Sequence, residues 1–160
     1  MTQRITGLGP RSRRDWRPGR LLILVLHVLL AAACGPGNHL GGSVGDILPL
    51  EFSQVRITPS GQDLVIAYTQ GVDLICRITL TAAGQTLHSG DTLTNVAFSD
   101  HVSLSRATLA HDSFASLRTG SLSLDSYSLV PGQEASGHFL MLLSDGHTLN
   151  GSYQQAVVAP

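Results

Sequence analysis

Apolar and polar residues alternate along much of the chain after residue 50, and this period of two constrains the fold more than any other feature. Leu74, Cys76, Ile78 and Leu80 fall on one face of a single extended segment, with Arg77 on the other. Alternation of this kind is typical of a half-buried β-strand. The same spacing recurs in two further segments, at Leu64, Ile66 and Tyr68 and at Leu122 and Leu124.

Turn-forming residues separate these runs at short intervals. The Asp145-Gly146 pair between two apolar runs predicts a hairpin with a type I′ turn, which needs a positive φ at both residues. Residues 99–118 fit either a strand or a short helix capped by Ser99 and Asp100. We predict seven strands, over residues 49–58, 63–70, 73–82, 92–98, 120–130, 135–144 and 147–157. Residues 135–143 are apolar on both faces after His138, which favours a central strand.

The number and spacing of these strands predict an all-β fold. We expect an antiparallel β-sandwich or a small β-barrel of about seven to eight strands. The predicted domain spans residues 49–160, which is long enough to bury a core without a metal or a disulfide.

Charge is divided unevenly along the chain. Six of the ten basic residues lie within the first twenty, and all ten are Arg. From Cys34 onward four Arg stand against ten Asp and Glu, a formal charge of −6. This balance argues against nucleic-acid binding and against electrostatic docking onto anionic lipid by that part of the chain.

The basic leader is followed by a 13-residue apolar run that ends at Ala33, immediately before Cys34. This order is typical of a secretory signal peptide. As a helix the run would be about 20 Å long, too short for a hydrocarbon core of about 30 Å. Residues 35–48 contain five Gly and predict a flexible tether.

Leu30-Ala31-Ala32-Ala33-Cys34 resembles the lipobox of bacterial lipoproteins, although Ala31 stands where that family most often has Leu. The resemblance implies cleavage between Ala33 and Cys34 and attachment of acyl chains such as palmitate to Cys34. It implies a signal peptide over residues 1–33, followed by a lipidated Cys and tether over residues 34–48. The protein would then be attached to the membrane only through its acyl chains. Two or three acyl chains make such attachment stable.

The same resemblance implies a place in the bacterial cell envelope. Gly35 follows the Cys where Asp would favour the inner membrane, so the outer membrane or cell surface is expected. An ordinary signal peptide with an incidental Cys is the alternative. Arg13-Arg14 also resembles a twin-arginine export signal, which leaves the export route open. Residues 120–153 are similar to the C-terminal part of uncharacterised β-rich bacterial lipoproteins, with segments such as Ser136-Gly-His-Phe139.

Candidate chemical sites are weak. The chain has no His-x-His, His-Glu-x-x-His or Cys-x-x-Cys motif, so no metal or cofactor is expected. Cys76 is expected to be a buried apolar residue rather than a reactive thiol. No catalytic residues are predicted. The residues that could contribute to a metal site are His88, Asp91, His101, His111 and Asp112.

The function expected from these features is that of a lipid-anchored envelope protein with a structural or protein-interaction role and no catalysis. Its partners would be the membrane, through acyl chains on Cys34, and an envelope protein, but not nucleic acid. An alternative is a carrier for a small apolar ligand, and a small hydrolase built on scattered Ser, His and Asp is less favoured. A carrier would need a cavity lined by Leu122, Leu124, Phe139 and Met141.

Overall fold

The computed structural model describes residues 37–82 and 84–160. The predicted signal peptide, the predicted cleavage site after Ala33 and the predicted lipidation site Cys34 lie outside the described residues. No helix within the described part is long and apolar enough to cross a membrane.

The described residues form nine strands, one α-helix and one 3₁₀ helix. In chain order they are β1 (His39–Gly41), the 3₁₀ helix (Ser43–Asp46), β2 (Gln54–Ser60), β3 (Asp63–Gln70), β4 (Asp73–Leu80), β5 (Thr92–Thr94), α1 (Asn95–His101), β6 (Val102–Ala107), β7 (Leu117–Ser126), β8 (Glu134–Leu143) and β9 (Thr148–Ala156).

The strands form two antiparallel sheets. Sheet A has the order β1-β9-β8-β7-β5, and sheet B has the order β2-β3-β4-β6. One parallel bridge, between Ile57 and Val157, links the edges of the two sheets, and they form no closed barrel in the described part of the chain. The all-β prediction is therefore confirmed in its sandwich form.

The inward faces of both sheets supply the core. Leu64, Ile66 and Tyr68 on β3 are fully buried, as are Leu122 and Leu124 on β7. The alternation in the sequence therefore identified these inward faces correctly. Each fully buried aliphatic side chain contributes about 1.5–3 kcal/mol relative to an exposed one.

Strand β8 lies between β9 and β7, which confirms the prediction of a central strand. Its two apolar faces differ in burial. Phe139, Met141 and Leu143 belong to the core, whereas Leu140 on the outer face is 52% exposed.

An irregularity in β4 changes the predicted face of one residue. The pairing of β4 with β6 shifts register between Leu74 and Arg77, and Ile75 and Cys76 are both buried. Because a bulge places two successive residues against the core, Leu74 is only half-buried instead of lying inward with Cys76.

The segment predicted as a strand over residues 92–98 is a strand for three residues only. The helix α1 begins at Asn95, and β6 follows it, so residues 99–118 contain both of the structures that the sequence allowed. Ser99 and Asp100 lie within α1 and do not cap it; Thr94 is the residue before its first turn. Phe98 is buried where Gly120 leaves room, since a Cβ at Gly120 would be 2.6 Å from Phe98 Cζ.

The predicted flexible tether over residues 34–48 is wrong for its described part from His39 to Asp46. Strand β1 extends sheet A by pairing with β9, and Leu40 and Val44 are buried in the core. The glycines suggested flexibility, but pairing with a strand more than 100 residues later in the chain orders the segment. The domain therefore begins before the predicted boundary at residue 49.

The hairpin predicted at Asp145-Gly146 joins β8 to β9. Its turn differs from the predicted type I′, because Gly146 has a positive φ of 89° and Asp145 does not. Gly146 N donates to Leu143 O at 3.1 Å, so a turn with ordinary φ values is followed by one left-handed glycine.

Candidate interaction surface

Two of the large apolar side chains in the described part are more exposed than any other. Val72 is 83% exposed in the turn between β3 and β4, and Leu109 is 76% exposed in the loop between β6 and β7. Leu109 N donates to Asp73 Oδ1 at 2.7 Å, so the loop is bonded to the residue that follows Val72. We call Val72 and Leu109 the apolar tip.

The two elements of the apolar tip occupy one end of the sandwich. The loop that carries Leu109 continues to Ser116, whose carbonyl oxygen accepts from Ser144 N in the β8–β9 hairpin at 2.8 Å. The described chain starts elsewhere: Asn38 Oδ1 accepts from Gln154 N at 2.8 Å, toward the far end of β9 from that hairpin.

A buried arginine fixes the loop that carries Leu109. Arg106 Nε donates to Asp112 Oδ1 at 2.9 Å, and its Nη2 donates to Asp112 Oδ2 at 3.2 Å. Its Nη1 donates to Pro49 O at 2.9 Å and to Ile75 O at 3.1 Å. The side chain of Arg106 is only 1% exposed, and it connects β4, β6 and two loops. We call this group of contacts the arginine clamp.

Two further contacts complete the arginine clamp. Thr108 Oγ1 donates a short hydrogen bond to Asp112 Oδ1, and the Arg106 guanidinium lies 5.7 Å from the centre of the Phe114 ring. The hydrogen bond from Arg106, and then that from Thr108, lowers the pKa of Asp112. Asp112 is therefore ionised at neutral pH, where the clamp persists.

The predicted metal candidates do not converge. Asp112 is held by Arg106, while His101 is buried at the end of α1 and its Nδ1 donates to Thr81 O at 2.5 Å. His111 N donates to Thr108 O at 3.0 Å in a turn where His111 has a positive φ of 57°. Within the described residues no three His, Cys, Asp or Glu side chains form a group that could hold a metal ion.

His88 and Asp91 form a local pair at the surface. His88 N donates to Asp91 Oδ2 at 2.8 Å, and His88 Nδ1 lies 3.8 Å from the same oxygen. The two side chains are 69% and 41% exposed, so this pair closes a turn that leads into β5.

Cys76 lies in the core, as the sequence predicted. It is fully buried, and burial raises the pKa of its thiol. A protonated thiol without solvent contact is a poor nucleophile.

The side chains predicted to line a carrier cavity pack in the core. Leu122, Leu124, Phe139 and Met141 are 0–4% exposed and contact the other core residues. A shallow depression of about 410 Å³ lies instead on the outer face of sheet A. Its lining residues are Thr94, Asn95, Thr119, Gly120, Ser121, Leu140 and Leu142.

Sequence reasoning did not identify the apolar tip or the arginine clamp. Val72 follows Gly71 in a two-residue turn, where the chain reverses direction. This turn position is the sequence feature that could have indicated an exposed side chain at Val72. Leu109 looked like a member of a strand or helix. Arg106 carried no signal, because two of its acceptors lie 57 and 31 residues away in the sequence.

Comparison with protein-family models, curated proteins and solved structures finds no match to this chain.

Proposed function

We propose that this protein is a lipid-anchored component of the bacterial cell envelope whose β-sandwich has a protein-interaction role and no catalytic activity. The observation that carries the proposal is the apolar tip, in which Leu109 is exposed on the clamped loop and Val72 is exposed on the β3–β4 turn bonded to that loop. Exposed apolar groups of this kind mark interaction sites when they are grouped together.

The arginine clamp supports this role through preorganisation. A loop that is already ordered loses little conformational freedom when it binds, so more of the contact energy appears as affinity. Four hydrogen bonds from one guanidinium hold the loop before any partner arrives. Val72 and Leu109 would then fill an apolar recess on an envelope protein.

The anchor on Cys34 supports the same proposal from the sequence. Acyl chains would confine the protein to the membrane surface, which raises the effective concentration of a partner in that membrane. A weak contact made by two side chains then becomes sufficient for association.

Site-specific photo-crosslinking in intact cells tests the contact made by the apolar tip. A benzophenone amino acid is placed at position 109 and, as a matched control, at position 130, where Val130 is 59% exposed in another loop. We expect one discrete adduct from position 109 that is absent from position 130 and lost when Val72 is changed to Ser. Equal adducts from both positions, or none from position 109, would contradict the proposal.

A further inference from the structure

The outer face of sheet B carries two arginines in one row. The strand registers place Arg56, Ala67, Arg77 and Ser105 side by side across β2, β3, β4 and β6. Arg56 and Arg77 are exposed and Ala67 lies between them. Two strand spacings separate the arginines, about 10 Å between their Cα atoms. We use the name arginine face for these four residues together with the neighbouring row on the same side of the sheet, which consists of Thr58, Val65, Thr79 and Ser103.

The arginine face has no compensating acid of its own. Among the described residues neither Arg56 nor Arg77 has a carboxylate oxygen within 4.0 Å, and the Arg56 side chain donates from Nη2 to Ala159 O at 3.3 Å. Most of their N–H donors therefore point to solvent.

The two exposed arginines in one row contrast with the net negative charge of the chain from Cys34 onward. From Cys34 onward there are four Arg against ten Asp and Glu, and one of the four is buried in the arginine clamp. Two of the remaining three lie in a single row, and the nearest acid on the same face of β3, Asp63, is four residues from Ala67 along the strand. A protein that is acidic overall thus has one locally positive face.

We propose that the arginine face is a second binding surface, for an acidic segment of a protein partner. The composition favours a protein partner, because Arg is enriched and Asp and Glu are depleted in protein interfaces, and the face has two Arg and neither acid. The planar guanidinium also fits a carboxylate through two parallel hydrogen bonds. Two copies of this chain cannot pair through this face, because four guanidinium groups would meet.

The size of the face sets the expected strength. Four strands and two residue rows cover about 260 Å², about a third of what one partner contributes to a standard interface. Exposed charge pairs add little each, so binding in solution should be weak and should weaken further as salt is raised. Confinement on a membrane surface would make such a contact effective. The proposal itself does not depend on the apolar tip or on the anchor.

A titration of the detergent-solubilised full-length protein with a deca-glutamate peptide tests the proposal, with amide chemical shifts as the readout. We expect shifts confined to residues of β2, β3 and β4 on the outer face. Arg77→Gln should lower the affinity for the peptide about five-fold, which is the effect of losing roughly one favourable charge pair. Arg118→Gln, which removes one exposed arginine from sheet A, should leave the affinity within two-fold.

Three outcomes would overturn the proposal. One is an equal loss of peptide affinity in Arg77→Gln and Arg118→Gln, which would show that binding depends only on the net charge of the protein. Another is a set of shifted amides outside sheet B. The third is binding of inorganic phosphate, or of micelles doped with phosphatidylglycerol, at least as tight as binding of the peptide, since the face would then not be selective for a protein partner.

Discussion

At the scale of single residues, Arg106 is the group on which the most distant parts of the domain depend. Its guanidinium is buried, charged and matched by four acceptor contacts from Asp112, Pro49 and Ile75. A buried charge is tolerated only when it is paired and hydrogen-bonded, and removing one partner leaves the others unsatisfied. Neither the composition nor the periodicity of the sequence could indicate this, because those acceptors come together only in the fold.

Replacing Arg106 by Leu should therefore destabilise the domain by about 3 kcal/mol, because the buried carbonyl oxygen of Ile75, the carbonyl oxygen of Pro49 and the Asp112 carboxylate lose their donor. Chemical denaturation followed by circular dichroism measures the difference. Arg118→Leu is the control, since Arg118 is exposed on β7 and should change stability by less than about 0.5 kcal/mol. Equal effects of the two substitutions would contradict the structural role given to the clamp.

The Asp112 carboxylate gives the clamp a pH dependence. Its pKa is lower in the folded protein than in the unfolded chain, so ionisation of Asp112 favours folding. This contribution is complete above the unfolded pKa of about 4 and disappears as the pH falls through the lower folded value. We expect Asp112→Asn to be less stable than the wild type at pH 6 and to lose less stability than the wild type between pH 6 and pH 3.

Urea midpoints at both pH values measure this difference. Some acid sensitivity should remain in the Asp112→Asn variant, because the hydrogen bond from His147 N to the carboxylate also lowers the pKa of Asp145. A wild type and variant that lose stability in parallel would show that Asp112 does not supply the linkage.

At the scale of elements, the sequence predicted those strands whose burial alternates regularly. Strands β3 and β7 show this in Leu64, Ile66, Leu122 and Leu124, and the central position of β8 followed from its apolar residues. It failed where a long-range contact overrides local composition. The glycines in the segment of β1 and the 3₁₀ helix are typical of a linker. The segment is nevertheless ordered, because β1 pairs with β9 and the side chains of Leu40 and Val44 are buried.

This difference can be measured with a single substitution in the 3₁₀ helix. Val44 is 1% exposed, so Val44→Ala should cost about 1–2 kcal/mol through lost burial and a small cavity. Ile47, three residues later, is 56% exposed, and Ile47→Ala should cost less than about 0.5 kcal/mol. If residues 39–46 acted as a flexible tether, both substitutions would leave the unfolding midpoint unchanged.

At the scale of the whole molecule, the described domain offers two distinct surfaces. The apolar tip lies at one end of the sandwich, where the β3–β4 turn meets the β6–β7 loop, and the arginine face lies on the outer side of sheet B. The sequence could predict neither, because each forms from residues on separate elements. It could predict an anchor, because a lipobox is a local motif that includes one thiol at a fixed place.

The anchor is tested by the contrast between the two cysteines. Cys76 is fully buried and its thiol has a raised pKa, so in the folded protein it is protected from acylation. Cells fed an alkyne-bearing palmitate should therefore label the wild type and Cys76→Ala equally, and Cys34→Ala not at all. The labelled protein should also be shorter than the full chain by residues 1–33 and should stay with membranes in high salt, since attachment through acyl chains does not depend on charge.

Cleavage without label would instead show an ordinary signal peptide. Label that persists in Cys34→Ala would remove the anchor from the proposed function, while the contacts expected of the apolar tip and the arginine face could still be measured.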